Sequence, residues 1–461
     1  MRHDFDVVIL GSGPAGEKAA FQAAKLRRRV AIVDRGTRLG GNCLHTGTIP
    51  SKTLRETILS VMAARARAFA GFQASLGKHL ALDAMMQSKE AVIRGQQEVL
   101  ERKLDRNDVV VFRGTGRFLD QHRIEVTEED GARREVEGRL VVVATGSRPA
   151  RHPGVPFDDT TVYDSDSILG LDTVPRTLTI VGAGVIGCEY ACMFAALGTK
   201  VTLMDTRPRV IDVADREIAE LLVARMRDHN VTLRLGEQVA AVERAAPGRV
   251  VATTVSGKAV VAEKLLYAVG REGNTATLGL ENAGLAAARR GLLEVNEHFQ
   301  TAVQHIYAVG DVIGFPSLAA TAMHQGRLAM AHAFGVAVNG EGAYLPYGIF
   351  TIPEISMVGE TEEQLTAASV PYEVGQAFFR EIARGEIVGD RSGMLKLLFE
   401  RQTHRLRGIH IIGANASELI HIGQAVLAFG GPIDYFVETV FNYPTLSEAY
   451  KVAALNGLNR L

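Results

Sequence analysis

Two short glycine-rich segments carry the most readable chemistry in the chain. In Gly11-Ser12-Gly13-Pro14-Ala15-Gly16 the glycines are spaced for a dinucleotide. The first makes a tight turn, the second lets backbone approach a pyrophosphate, and the third lets a helix pack on a strand. The helix that opens there offers unpaired N–H groups and the positive end of its dipole to the phosphates. Asp34 follows roughly 20 residues on, where an acid accepts hydrogen bonds from an adenosine ribose. Gly182-Ala183-Gly184-Val185-Ile186-Gly187 repeats the pattern with Asp205 as its acid. Two complete fingerprints predict two dinucleotides, one resident and one that exchanges as substrate. A carboxylate at Asp205 favours an unphosphorylated ribose, because it repels a 2′-phosphate. Arg207 and Arg209 follow at once, and two readings stand: they hold a 2′-phosphate, or they form a solvated loop.

Each turn works only between a buried parallel strand and a helix. Residues 6–10 (DVVIL) form a nearly continuous apolar run, a helical stretch covers 17–26, and a second strand covers 30–33. The same order recurs as 177–181 (TLTIV), a helix to Leu197, and a strand at 200–204. This is a duplicated strand–helix–strand unit. Residues 52–103 have helical periodicity without proline, which predicts one or two long helices inserted in the first domain. Strand-like runs follow at 109–112, 123–126 and 140–143, then the turn Ala144-Thr145-Gly146 and prolines 149, 153 and 156. A second exit lies at 270–274. Beyond residue 341 the strand-like runs 394–399 and 408–412 alternate with helical stretches 417–429 and 447–458, predicting a third domain with a mixed sheet. The expected class is α/β, with two Rossmann-like dinucleotide-binding domains plus a C-terminal α+β domain. The expected limits are 1–146 and 275–340 for the first domain, 147–274 for the second and 341–461 for the third.

The bulk properties narrow the function classes. The net charge of −1 gives no electrostatic case for nucleic acid or anionic lipid as partner. Three cysteines, Cys43, Cys188 and Cys192, are too few for a disulfide scaffold and fit a reducing compartment. The chain runs from MRHDF straight into a strand without a secretory pattern, and no apolar run reaches the ~18 residues of a membrane helix. The expectation is a cytoplasmic protein that binds no membrane and no metal; His324 and His421 belong to no ligand constellation.

Residues 40–52, GGNCLHTGTIPSK, resemble the redox segment of the pyridine nucleotide–disulfide oxidoreductases, the lipoamide dehydrogenase and glutathione reductase group. That family has GGxCxxxGCIPSK, with a pair of cysteines. Here Cys43 is the first and Thr48 stands at the second. Residues 441–448, FNYPTLSE, resemble the family's HPTxxE motif with Tyr443 in place of the general-base histidine. Both departures occur together in one branch, the soluble, si-specific pyridine nucleotide transhydrogenases. YDSDSIL (163–169), GAGVIGCEYA (182–191), YAVGDVIGFPSLA (307–319), TIPEIS (351–356) and VAALNGLNRL (452–461) resemble that branch as well.

The resemblance implies FAD as the resident dinucleotide, NAD(H) and NADP(H) as substrates, and a homodimer or higher homo-oligomer formed through the C-terminal domain. It places Gly11, Gly13, Pro14, Gly16, Asp34, Arg35, Gly40, Gly41, Cys43, Gly116, Thr145 and Gly146 against FAD. Asp311 would bind the ribitol chain, and Leu318 and Ala319 would open a helix facing flavin N1. Lys52 would lie beside flavin N5, with Glu189 its carboxylate partner on the nicotinamide side. The exchanging nucleotide would use Gly182, Gly184, Val185, Ile186, Gly187, Asp205, Arg207 and Gly270. Cys188 and Cys192, four apart on a helix, read as packed side chains.

The departures change the chemistry. Threonine at position 48 cannot relay electrons, and a tyrosine titrating near pH ~10 is a poor base at neutrality. What the resemblance leaves is hydride passing between NADPH and NAD+ through the flavin, with the substrates taking turns in one pocket. Three readings stay open beside it: a single-thiol reductase using Cys43, an NAD(P)H oxidase or diaphorase, and a flavin-binding sensor without turnover.

Overall fold

The structure is a computed structural model that describes residues 4–66, 78–245, 248–337 and 344–461. Its residues form two compact units. The first comprises 1–152, 163–173 and 269–339; the second comprises 153–162, 174–268 and 340–461.

In the first unit, strand Phe5–Leu10 lies between Val30–Asp34 and Arg133–Val143, all parallel. Val7, Val8 and Ile9 are fully buried, which is why this strand reads as an unbroken apolar run rather than an alternating one. Val110–Arg113 extends the sheet on one side. The long strand Arg133–Val143 changes partners along its length. Its first half pairs antiparallel with Arg123–Thr127, and its last three residues pair parallel with Ile306–Ala308. Helices Pro14–Lys25 and Ala319–Ala333 pack together because Gly326 has no side chain: a Cβ there would lie 2.2 Å from the Ala15 carbonyl oxygen. The predicted helical stretch 52–103 appears as helices Thr48–Ala66 and Lys78–Arg106, and 67–77 fall outside the described residues. The chain leaves through Ser147–Pro149 and returns through Arg271–Gly273, two segments paired antiparallel.

In the second unit the parallel strands run in the order Thr232–Leu235, Lys200–Asp205, Thr177–Val181, Lys264–Tyr267. An antiparallel trio, Val239–Arg244, Val250–Thr254 and Ala259–Ala262, accompanies them. The C-terminal sheet has the order Tyr347–Ile349, Ile355–Gly359, Leu406–Ile412, Met394–Glu400, Tyr372–Phe378. The expectation of a mixed sheet is corrected here: every pairing in it is antiparallel. The short connections 350–354 and 401–405 permit this for the strands they join, whereas a parallel pair needs a crossover. Helices Ala416–Ala428 and Glu448–Leu458 cover the sheet with Leu419, Ile420, Tyr450 and Ala453, all buried in one core. Among the described residues no helix is long and apolar enough to cross a membrane.

Candidate functional site: two nucleotide turns

The first turn joins Phe5–Leu10 to helix Pro14–Lys25. Gly11 has φ +106°, a conformation that favours glycine. A Cβ on Gly16 would lie 1.9 Å from the Gly11 carbonyl oxygen, whereas one on Gly13 meets nothing within 4 Å. The second glycine therefore faces an open space, as close approach of a phosphate demands. Pro14 occupies the first turn of the helix, where its missing N–H breaks no helical bond. Asp34 ends its strand with one carboxylate oxygen accepting the Ser12 N–H (2.7 Å) and the other the Gly36 N–H (2.7 Å). Arg35 beside it is exposed.

Gly40 and Gly41, both at positive φ, start the short helix Gly41–His45 that carries Cys43. The Gly40 N–H donates to the Ser12 hydroxyl at 2.9 Å, and a Cβ on Gly41 would stand 3.0 Å from Gly13 Cα. The helix thus lies against the first turn. Burial pushes the Cys43 thiol above its ordinary pKa, as do Asp311 and Glu17; a hydrogen bond with Thr48 and the charge of Lys52 oppose this only in part. Lys52 sits on helix Thr48–Ala66, with its ammonium 3.4 Å from the Ser51 hydroxyl.

Thr145 and Gly146 follow the end of strand Arg133–Val143. Gly146 has φ +66°, with open space where a Cβ would be, and the buried Thr145 hydroxyl has no hydrogen-bond partner among the described residues. Asp311 accepts a hydrogen bond from the Ser147 hydroxyl (2.8 Å), which in turn receives Arg271 Nε (2.8 Å). The Ser147 carbonyl accepts from Arg271 and Asn42. Leu318 caps helix Ala319–Ala333 with extended backbone and no side-chain cap bond, which leaves first-turn N–H groups to outside acceptors. Gly116 packs against Leu10, Val33 and Ile124, contacts that a Cβ would meet at 3.1–3.3 Å. The sites predicted around the first turn thus gather in one unit, apart from nothing but their sequence separation. Ser12, Asn42, Ser147 and Arg271, which the motifs did not single out, tie them together. Open turn, orphaned hydroxyl and uncapped helix end fit a dinucleotide held through its phosphates and polar chain.

The second turn repeats the first in the other unit. Gly182 has φ +108°, and a Cβ on Gly187 would lie 1.8 Å from the Gly182 carbonyl oxygen. Val185 and Ile186 open helix Val185–Ala196. The Asp205 carboxylate accepts the Ala183 N–H at 2.6 Å. It also receives Arg207 twice, Nε on one oxygen (3.0 Å) and a terminal nitrogen on the other (2.7 Å). Burial alone would raise the Asp205 pKa, but these bonds hold it below the ordinary carboxylate value. Arg207 also reaches Asp212 at 3.1 Å, and its guanidinium is what a Cβ on Gly184 would meet, at 3.7 Å. The arginine thus overhangs the second glycine. Ile211 closes the loop against the turn, its N–H donating to the Ala183 carbonyl at 3.0 Å. Ile211 has φ +46°, a left-handed conformation that costs a β-branched residue about 1–2 kcal/mol. Glu189, on the same helix as the turn, is buried, and one of its carboxylate oxygens accepts the Phe350 N–H at 2.8 Å. Cys188 and Cys192 are buried there too. Gly270 falls in the first unit, at φ +107° beside Arg290.

Residues 5–326 match the family described as pyridine nucleotide-disulphide oxidoreductase, and residues 345–454 match its dimerisation domain. A curated relative from Mycobacterium tuberculosis (strain ATCC 25177 / H37Ra), named soluble pyridine nucleotide transhydrogenase, is 51% identical, covering 99% of this chain and 98% of that one. A relative of the same name from Hahella chejuensis is 47% identical, covering 99% of each. Among solved structures, LpdA of Mycobacterium tuberculosis is similar at 29% identity, with a TM-score of 0.89 over 97% of this chain and 98% of that one. The HOCl-induced flavoprotein disulfide reductase RclA of Escherichia coli is similar at 28% identity, with a TM-score of 0.87 over 98% and 99%. With both of the family's domains matched and relatives near half identical along the whole chain, this protein belongs to the pyridine nucleotide-disulphide oxidoreductases.

Proposed function

We propose that the chain is an FAD-dependent, si-specific transhydrogenase that moves hydride from NADPH to NAD+, or in reverse. The observation that carries this reading is Thr48 within hydrogen-bond reach of Cys43, at the position where the family has its second cysteine. The near-half-identical relatives are named soluble pyridine nucleotide transhydrogenase, which supports the same activity. When bound, FAD supplies the two-electron carrier between the nucleotides. In this reading Gly11, Gly13, Pro14 and Gly16 present backbone to its pyrophosphate, and Asp34, with Arg35 nearby, receives its adenosine ribose. Gly40, Gly41, Cys43, Gly116, Thr145 and Gly146 line it, and Asp311, fixed by Ser147, accepts from its ribitol hydroxyls. The helix opened by Leu318 and Ala319 turns its positive end toward the ring. Lys52 belongs to the flavin side of the reaction and Glu189 to the nicotinamide side.

The exchanging nucleotides share the second turn, Gly182, Gly184, Val185, Ile186 and Gly187, and the reading assigns Gly270 to the same nucleotides. Asp205 receives an unphosphorylated ribose, and Arg207 turns to a 2′-phosphate. One pocket serving both substrates makes the kinetics ping-pong. The domain limits proposed for this reading are 1–146 with 275–340, 147–274, and 341–461. The last of these joins two copies in a homodimer or larger homo-oligomer, working in the cytoplasm. Anaerobic titration tests the function directly. NADPH should bleach the flavin absorbance without a long-wavelength thiolate–flavin band, and NAD+ should restore it. A flavin that NADPH reduces but NAD+ cannot reoxidise would sink the reading.

A further inference from the structure

The loop from Thr206 to Asp215 is tied at both ends. At its start it carries Arg207, and Ile211 holds its middle to the second turn. At its end Asp215, 1% exposed, caps helix Arg216–Asp228 by accepting the Glu217 N–H. The same carboxylate receives the ammonium of Lys396 at 2.9 Å. Lys396 lies in the C-terminal strand Met394–Glu400 and is fully buried. Its ammonium also pairs with Glu217 (3.0 Å) and with Glu362, whose N–H donates back to Asp215. Three carboxylates around one cation satisfy the lysine and keep it charged. Exchanging such a buried cluster for packed apolar groups is often neutral or stabilising, so stability alone is a weak reason for it. What it does supply is a fixed distance between the C-terminal sheet and the end of the loop.

We propose that Lys396 is a positioning residue for nucleotide choice: by fixing Asp215 it fixes the loop that presents Arg207, and so sets the preference for 2′-phosphorylated over unphosphorylated nucleotide. The inference rests on the assignment of the second turn to the exchanging nucleotides. It has a sign. Asp205 ends a strand and is held by the Ala183 N–H, so it keeps its place when the loop relaxes. The Arg207 backbone is held by Asp205 and by the Gly236 N–H, but its guanidinium also leans on Asp212 further along the loop, and that support goes when the loop relaxes. Loss of Lys396 therefore weakens the phosphorylated nucleotide selectively.

The test measures equilibrium binding of NADP+ and NAD+ to the holoenzyme, wild type against Lys396→Met and Glu362→Gln. Lys396→Met should weaken NADP+ about ten-fold while NAD+ changes by less than about two-fold, a coupling within the usual range between linked sites. Glu362→Gln, which keeps Lys396 paired with Asp215, should move the same ratio in the same direction by a smaller factor. It keeps the test alive should the methionine variant fail to fold. An unchanged ratio in the folded variants, or equal losses for both nucleotides, overturns the positioning role while leaving the transhydrogenase reading intact. A wild-type protein that binds neither nucleotide overturns both.

Discussion

Gly11–Gly16 and Gly182–Gly187 turn with nearly the same backbone, with φ of +106° and +108° at the leading glycine. Each ends in an acid that accepts an N–H from the residue after that glycine, Ser12 to Asp34 at 2.7 Å and Ala183 to Asp205 at 2.6 Å. They differ in what lies over them. The first is covered by the short helix Gly41–His45 and leaves the space beyond Gly13 open. The second is covered by the loop that begins at Thr206, with Arg207 bridging the acid and overhanging Gly184. The shared half of the device reads phosphate and ribose. The unshared half decides whether the occupant is one dinucleotide or either of two.

Substitution of the third glycine separates the two turns most strongly. Gly16→Ala and Gly187→Ala each drive a Cβ into a backbone oxygen, at 1.9 and 1.8 Å, so something must shift. The cost of such overpacking is about 3 kcal/mol or more. Gly16→Ala should yield protein without bound flavin. Gly187→Ala should yield a yellow protein that neither NADPH nor NADH reduces. Absorbance after purification and after nucleotide addition reads both, and loss of flavin from both variants alike would erase the proposed division of labour.

Arg207→Ala acts on the unshared half. It should weaken NADP+ by about 1.5–3 kcal/mol, the worth of hydrogen bonds to a charged group. NAD+ should be nearly unaffected, or bind slightly better as Asp205 is released. Titration calorimetry with both nucleotides decides this, and equal losses would mean that the arginine only folds the loop.

The smallest effect is expected at Cys43, on the short helix that covers the first turn. Cys43→Ser should keep turnover within about two-fold, because the sulfur has no partner for exchange. With its pKa raised, Cys43 carries less thiolate than a free cysteine at any given pH, so alkylation near neutrality should be slow and leave activity intact. A variant that binds FAD and is reduced by NADPH, yet no longer passes hydride to NAD+, would put a thiol on the path.

The turns and their acids were legible in the sequence because the chemistry is local: a strand, three glycines and a helix within one short stretch. The helix carrying Cys43 was not, since glycine is a poor helix former, yet Gly40 and Gly41, both at positive φ, start it. Two of the five C-terminal strands, Met394–Glu400 and Leu406–Ile412, were visible as apolar runs, but an isolated run does not state the direction of its neighbour. Lys396 was hidden for a different reason. In MLKLLFE a lysine looks like the solvent side of a strand, yet every residue from Met394 to Phe399 is buried. Its partner Asp215 lies far back in the chain, where no local pattern points to it.

Strand Ile306–Ala308 closes the first sheet by pairing with Val141–Val143. A ribosome delivers these partners at very different times, since residues 153–162 and 174–268 of the other unit are made between them. Throughout that interval the nascent chain holds Val141, Val142 and Val143 as an unfinished sheet edge, apolar and with unpaired backbone. Such edges template pairing with other chains, and long-range closure is the slow step of folding. Vectorial synthesis therefore exposes this protein to misassembly at one defined place, and chaperone engagement during translation should concentrate on that edge until Ile306 emerges.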